Sequence, residues 1–288
     1  MNIKNTIKLL RLPFSILLMP IFILTLSQIK IPFTWIDALI PFLIIHLLVY
    51  PASNGYNSYV DRDEGSIGGL EKPPMPTIEL FYVTLAMDIL AILLSYIFIN
   101  TTFTAYLILY ILASRAYSAR QIRLKKFAII GFLIVIVFQG GYTVFLSYLG
   151  ITKQLLPIND VTIWLLLACT FQIAGVYPLT QIYQHKQDFE DSVVTISYKL
   201  GYVGTFIFAG IMFALCNVCY FLYFSNNNDL SSFIIVQFFF APILVFFIYW
   251  MRKVLQSTLN ANFRNTMLMN LIAAFCMNIC FVILFLNR

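Results

Sequence analysis

The chain has 288 residues, of which 61% are hydrophobic and only 10% are charged, and its mean hydropathy is +0.87. A water-soluble domain usually carries about a quarter charged residues, so the composition excludes a soluble globular fold. The formal net charge is +6. In a membrane protein this charge indicates attraction to lipid head groups, and no nucleic-acid partner is expected.

Long apolar runs recur along the whole chain. A transmembrane helix needs about 20 mostly apolar residues, and the polar breaks in the sequence separate nine runs of about that length. They cover residues 12–28, 33–51, 79–99, 102–115 with its flanks, 128–149, 161–180, 203–224, 231–250 and 265–286. We therefore predict an all-α bundle of about nine transmembrane helices that forms one membrane domain over residues 1–288. The first run resembles a signal peptide but lacks a small-residue cleavage site, so we predict an uncleaved span.

The basic residues favour one side of this bundle. If the N-terminus is cytoplasmic, 15 of the 18 Lys and Arg residues lie on the cytoplasmic side, and only Lys30, Lys153 and Arg288 lie on the other. Positive residues collect on the cytoplasmic side of membrane proteins. The pattern predicts a cytoplasmic N-terminus and an external C-terminus, in what we expect to be a bacterial cytoplasmic membrane.

A few polar or reactive residues lie inside the predicted spans. Five of them are cysteines: Cys169, Cys216, Cys219, Cys276 and Cys280. No histidine or carboxylate accompanies the cysteines, so we expect them to pack between helices and predict neither a disulfide nor a zinc site. For Asp88 and His46 a hydrogen bond to a neighbouring helix is favoured over a role in proton handling.

The acidic residues are concentrated near the ends of the second and sixth spans. Seven of the 12 fall within residues 61–71 and 188–191. At about 100° per residue, one stripe of a helix continuing the second span contains Asn54, Asn57, Ser58, Asp61 and Glu64. Asp63 is predicted to point away from it. A second stripe, extending the sixth span, contains Gln181, Gln184, Asp188, Asp191 and Thr195.

Two stripes of carboxylate and amide oxygens at one membrane face suggest a metal site. Oxygen ligands without cysteine suit Mg²⁺, which binds one or two carboxylates together with water and substrate phosphate. The stripes therefore predict a magnesium site that holds a diphosphate. Acids that are merely solvated in loops are the alternative.

Basic residues lie close to both acidic stripes. Arg62 and Lys186 flank them, and Arg123 and Lys125 follow the fourth span. Arginine binds phosphate oxygens in a bidentate way. A cytoplasmic loop also carries positive residues for topology alone, so both interpretations stay open for Arg123.

Three of these segments resemble motifs of the UbiA superfamily of intramembrane prenyltransferases. Residues 57–65 are similar to its signature Asn-Asp-x-x-Asp-x-x-x-Asp, with Asn57 and Asp61 matching. Ser58 and Gly65 replace acids, so that Glu64 and Asn54 are candidates for the missing oxygens.

The other two motifs follow in the family's order. Residues 184–188 with Ser192, Thr195 and Gly201 resemble the second signature, although Gln184 replaces its first Asp and Asp191 is a possible substitute. Residues 117–125 are similar to a Tyr-Ser-Pro-Pro-x-Arg-x-Lys loop, although Ala119 and Arg120 replace the prolines.

The resemblance implies a bundle with a central apolar and aromatic cavity, capped by the acidic motifs and open to lipid. It implies Mg²⁺-assisted ionisation of a prenyl diphosphate and transfer of the prenyl group to a lipophilic acceptor, aromatic or a quinone precursor. The implied catalytic and metal-binding residues are Asn57, Asp61 and Asp188, with Glu64, Gln184 and Asp191 as further metal ligands. The implied substrate contacts are Asn54, Arg62, Arg123, Lys125, Gln181, Tyr183 and Lys186.

Two other functions remain open from the sequence. A polytopic transporter usually places its binding groups near the membrane midplane, often in two repeated halves, whereas here the polar clusters lie at one face and no repeat is evident. A non-catalytic lipid- or quinone-binding membrane protein is compatible with the substituted motifs. Loss of metal dependence would distinguish such a binder from an enzyme.

Overall fold

The computed structural model describes residues 3–190 and 193–287. These residues form helices and connecting loops, and their β-type pairing is limited to an isolated bridge between Ile67 and Leu70. In chain order the helices are α1 (Ile3–Gln28), α2 (Trp35–Asp61), α3 (Ile78–Phe98), α4 (Thr101–Ser118), α5 (Ala128–Thr152), α6 (Thr162–Gln181), α7 (His185–Glu190), α8 (Ile196–Asn226), α9 (Leu230–Gln256) and α10 (Phe263–Leu286).

The predicted all-α membrane bundle is confirmed. Within the described residues, eight helices are long and apolar enough to cross a membrane: α1, α2, α3, α5, α6, α8, α9 and α10. Helix α4 occupies the position of the predicted fourth span but is not one of the eight. Its Thr, Ser and Tyr residues and Arg115 lower the mean hydropathy of its 18 residues. Helix α2 extends about ten residues beyond the apolar run that predicted it, and this extension carries the first acidic stripe.

Several of the long helices are interrupted. Arg11, with φ 50°, separates the first turns of α1 from the rest. Helices α2 and α5 contain π-helical turns at Ile44–Val49 and Val137–Gly141. In α8, Gly201 has φ 68° and ψ 177°, a conformation essentially restricted to glycine. These breaks redirect the helix ends that surround the site.

Polar contacts distinguish the two ends of the bundle. At one end, Lys153 Nζ lies 2.7 Å from Asp37 Oδ1, and Lys30 Nζ lies 2.8 Å from Asn227 Oδ1. At the other end lie the C-termini of α2, α4 and α6, which surround a cavity. The helix ends and connections that hold Lys30, Asp37 and Lys153 therefore lie at the end of the bundle opposite the cavity.

The buried ionisable residues near the helix cores are used for packing. Asp88 on α3 forms an ion pair with Arg115 on α4, and His46 Nδ1 lies 3.2 Å from the backbone oxygen of Ser15. Both contacts join neighbouring helices, as predicted for Asp88 and His46. The cysteines are free thiols, and all but Cys276 are buried.

Candidate active site

A cavity of about 310 Å³ opens where α2, α4 and α6 end. Its charged lining residues, among those the structure describes, are Arg11, Asp61, Asp63, Lys125 and Asp188. Of the residues predicted from the sequence, it is also lined by Asn54, Asn57, Gln181, Tyr183 and Gln184. The structure therefore brings the two acidic segments, more than 100 residues apart in the chain, to one cavity.

The last two turns of α2 form the first wall. Asn57 Oδ1 accepts a hydrogen bond from Ser118 Oγ at 2.8 Å, which ties α2 to α4. Asp61 forms an ion pair with Lys125 through Oδ2, while its Oδ1 is buried without a hydrogen-bond partner. The amide nitrogen of Asn54 is likewise buried and unpartnered. A ligand in the cavity would find these polar atoms available.

The chain turns sharply after Asp61, and here the helical projection is wrong. Arg62 adopts φ 55° and caps α2, so the following residues do not continue its stripe. Asp63, predicted to point away, lines the cavity and accepts a hydrogen bond from Gln187 Nε2 at 2.5 Å. Glu64 and Arg62 lie exposed and outside the cavity lining.

The opposite wall is lined by Gln181, Gln184, Asp188 and Thr195, although α6 ends at Gln181 and the predicted continuous stripe is broken there. Gln184 Nε2 donates to the backbone oxygen of Ser66 at 3.0 Å, and Asp188 Oδ2 accepts from Thr195 Oγ1 at 2.9 Å. These bonds fasten the two acidic segments to each other and to the start of α8. Asp191 and Ser192, also named from the sequence, lie outside the described residues.

His185 supports this wall from behind. Its Nε2 lies 2.8 Å from Ser197 Oγ, and its ring stacks on the Tyr202 ring with the two ring centroids 4.7 Å apart. Burial lowers the pKa of His185 to about 4, so the imidazole is neutral at pH 7. Lys186 is 89% exposed and lies 3.9 Å from Glu190, which places its ammonium outside the cavity.

Arg11 lines the cavity and was not predicted from the sequence. It is only 8% exposed, and its guanidinium donates to the backbone oxygens of Gly68 (3.2 Å) and Asn54 (3.0 Å). In the sequence it is one of several basic residues before the first apolar run, and no pattern separates it from a topology signal. The break in α1 turns it into the cavity.

The loop after α4 contributes less than predicted. Lys125 lines the cavity, whereas Arg123 lies outside the lining with φ 46°.

Tyr117 on α4 and Tyr177 on α6 also line the cavity, and their hydroxyl oxygens lie 2.5 Å apart. Burial raises the pKa of Tyr183, so its hydroxyl stays protonated and can donate a hydrogen bond.

The donor set fits a metal that arrives with a diphosphate better than a bare metal. Within the described part of the chain no three His, Cys, Asp or Glu side chains are grouped closely enough to hold a metal by themselves. Mg²⁺ does not need such a cage, because it takes one or two carboxylates and completes its shell with water and phosphate. Asp61, with one buried oxygen unpartnered, and Asp188 across the cavity are carboxylates of this kind.

The fold and the site define a class: a helical integral membrane protein with an acidic and amide-rich cavity at one end of its bundle. The model of the UbiA prenyltransferase family matches residues 17–274, and the chain belongs to this family. A search of curated protein sequences finds no match.

Solved structures share this fold. An apo structure of a UbiA homologue from Aeropyrum pernix K1 has a TM-score of 0.70 at 16% identity and covers 93% of this chain and 97% of that one. A UbiA homologue from Archaeoglobus fulgidus bound to DMAPP and Mg²⁺ has a TM-score of 0.69 at 15% identity and covers 97% and 99%. A digeranylgeranylglyceryl phosphate synthase structure has a TM-score of 0.59 at 18% identity and covers 99% and 97%. At these identities the likeness establishes the fold.

Proposed function

We propose that the chain transfers a prenyl group from a prenyl diphosphate to a lipophilic acceptor, aromatic or a quinone precursor, within the membrane. The observation that carries the proposal is the convergence of Asp61, Asp63 and Asp188 on one cavity that also holds Arg11 and Lys125. A cavity with both signs of charge at one end suits a metal–diphosphate group. The Archaeoglobus homologue bound to DMAPP and Mg²⁺ supports this assignment.

Bound Mg²⁺ would neutralise the charge that develops on the diphosphate as the allylic C–O bond breaks. Asp61 and Asp188, with the oxygens of Asn57 and Gln184, are the residues that we propose hold it. Lys125 is placed to exchange its contact with Asp61 for one with a phosphate oxygen, and Arg11 can donate to a second. Outside the described residues, Asp191 stays a proposed additional ligand.

The remaining wall determines the fate of the prenyl group once the C–O bond has broken. The bonding pair leaves with the diphosphate, and a carbon or oxygen of the acceptor forms the new bond and loses a proton. The rings of Tyr117 and Tyr177, which line the cavity, can stabilise positive charge on the allylic carbons. Apolar residues deeper in the cavity exclude water, which would otherwise capture the prenyl group.

We also propose that the whole chain, residues 1–288, works as one unit with this cavity facing the cytoplasm of a bacterial cell. The predicted topology, which puts 15 of the 18 basic residues on the side of the acidic motifs, supports this orientation.

The test is release of inorganic diphosphate by the purified protein in nanodiscs, given geranyl diphosphate or longer homologues and a panel of aromatic acceptors, with and without Mg²⁺. We expect magnesium-dependent release that falls about 100-fold or more in Asp61→Asn and in Asp188→Asn, because each variant removes a carboxylate proposed to hold the Mg²⁺ that neutralises the developing diphosphate charge. Glu190→Gln, an exposed carboxylate close in sequence to Asp188, is the matched control and should retain activity. Absence of release with every pair, together with metal-independent binding, would favour a lipid-binding or transport role.

A further inference from the structure

The deep part of the cavity is uncharged but not entirely apolar. Among the described lining residues, the charged ones lie at helix ends and loops around the mouth, whereas three carboxamides line the interior: Gln139 on α5, Gln172 on α6 and Asn270 on α10. Their neighbours in the wall are apolar, including Ile173, Val176 and Ala273. A hydrocarbon tail cannot form hydrogen bonds with these amides, so a tunnel that binds only such a tail would not need them.

Helix geometry places the amides well below the mouth. Gln172 precedes Gln181 by nine residues, which corresponds to about 13 Å along α6. Asn270 lies seven residues, or about 10 Å, into α10. Phe263, the first residue of α10, packs against Tyr183 with their ring centroids 5.5 Å apart. Because Tyr183 lines the mouth, the start of α10 lies at the level of the mouth.

Gln139 reaches the same depth because of a break in α5. It belongs to the π-helical turn Val137–Gly141, and the neighbouring Gly140 packs directly on the backbone of Thr170 in α6. Gly141 N also donates to Thr170 Oγ1 at 3.1 Å. Thr170 precedes Gln172 by two residues, so the two glutamines are at one level of the cavity. Such π turns occur often at functional sites.

One amide is held in a defined orientation. The Tyr220 hydroxyl donates to Gln172 Oε1 at 2.7 Å, so the NH₂ group of Gln172 is left to face the cavity. Asn270 is 6% exposed, and neither Asn270 nor Gln139 has a side-chain hydrogen-bond partner within the described residues. The group as a whole therefore offers hydrogen-bond donors to a ligand oxygen.

Energetics exclude a charged ligand group at this depth. A purely apolar occupant would cover these amides without supplying a hydrogen bond, which is unfavourable for a polar group. A carboxylate would need a buried counter-charge, which the deep lining residues described here lack. An uncharged hydroxyl or carbonyl oxygen satisfies the amides without either cost.

We infer that Gln139, Gln172 and Asn270 form a subsite for an uncharged oxygen, hydroxyl or carbonyl, on the part of the acceptor remote from the carbon or oxygen that is prenylated. The inference rests on the proposed function only in naming this ligand as the acceptor. Such a subsite would favour acceptors that carry a second, neutral oxygen over aromatic acids.

Direct binding of three naphthols to the protein in nanodiscs tests the subsite without prenyl diphosphate or Mg²⁺. The probes are 2,6-dihydroxynaphthalene, 6-methyl-2-naphthol and 6-hydroxy-2-naphthoate, which differ only in the remote group. We expect the dihydroxy probe to bind about 3- to 10-fold more tightly than the methyl probe, the equivalent of about one hydrogen bond, and the carboxylate to bind most weakly. Gln172→Leu should abolish the preference, and Tyr220→Phe should reduce it.

The matched control is Gln237→Leu, which removes a membrane-embedded amide that bonds Asn217 away from the cavity and should leave the preference intact. Equal binding of the three probes, or tightest binding of the carboxylate, would overturn the inference. So would a Gln172→Leu variant that weakens geranyl diphosphate and leaves the naphthols unchanged, since the amides would then serve the donor. A preserved hydroxyl preference without diphosphate release in the presence of Mg²⁺ would instead count against the proposed function alone.

Discussion

The ion pair between Lys125 and Asp61 joins the loop after α4 to the last turn of α2. Both side chains are largely buried, and Asp61 has a second oxygen without a partner. Removing the ammonium leaves a carboxylate buried without compensation, a change that costs about 3–5 kcal/mol in buried pairs. Mg²⁺ can replace the lost positive charge.

We therefore expect Lys125→Met to lower the free energy of unfolding in magnesium-free detergent by about that amount, and added Mg²⁺ to restore part of it. Denaturant titrations with and without MgCl₂ measure both effects. Lys126→Met, one residue further along and exposed, is the matched control. Equal losses in the two variants, or no preferential rescue by magnesium, would contradict this account of the pair.

His185 gives the stability of the site a pH dependence. Its pKa in the folded protein is about 4, below the ordinary value of 6.5, so the unfolded chain binds the proton more tightly. The contribution of neutral His185 to the stability of the folded protein is fully present above pH 6.5 and is lost as the pH falls toward 4. We expect the wild-type protein to lose more stability than His185→Gln between pH 7 and pH 4.5, as measured by thermal unfolding. Because His46 is present in both proteins, an identical pH dependence would exclude His185 as the source.

At the scale of helices, the break in α5 depends on a close approach that only glycine permits. A Cβ atom on Gly140 would lie 2.6 Å from Thr170 Cα, so neither backbone can yield without moving α5 away from α6. We expect Gly140→Ala to cost about 1–3 kcal/mol in the free energy of unfolding, the range found for overpacked sites.

Gly210 in α8 provides the comparison, because a Cβ there would meet nothing closer than 3.8 Å. Gly210→Ala should be neutral or stabilising, since alanine favours a helix by about 1 kcal/mol over glycine. Unfolding of both variants in the same detergent gives the two values. A Gly140→Ala protein as stable as wild type would show that the two helices are not held at this contact.

At the scale of the whole molecule, the orientation of the bundle can be measured with two cysteines. Lys153 and Lys186 lie on opposite faces and are 48% and 89% exposed. In a Cys276→Ser background, we expect a membrane-impermeant maleimide to label Lys153→Cys in intact spheroplasts. Lys186→Cys should be labelled only after permeabilisation. The reverse pattern would place the cavity on the external side.

Apolar run length and the placement of basic residues were enough to predict the helical bundle and its alternation between two faces, because these properties depend on burial in lipid and are local in the chain. The polar stripes also grouped Asn57, Asp61, Gln184 and Asp188, which line one cavity in the structure, because a short helical segment fixes which side chains share a face.

Only the tertiary structure decided what lies beyond each helix end. The left-handed turn at Arg62 removed Glu64 from the cavity and brought Asp63 in, and the break at Arg11 delivered a cation that the sequence did not distinguish. The deep amides Gln139 and Gln172 meet only because α5 and α6 touch at Gly140 and Thr170. Such contacts depend on how distant segments pack, and helical periodicity within one segment carries no information about them.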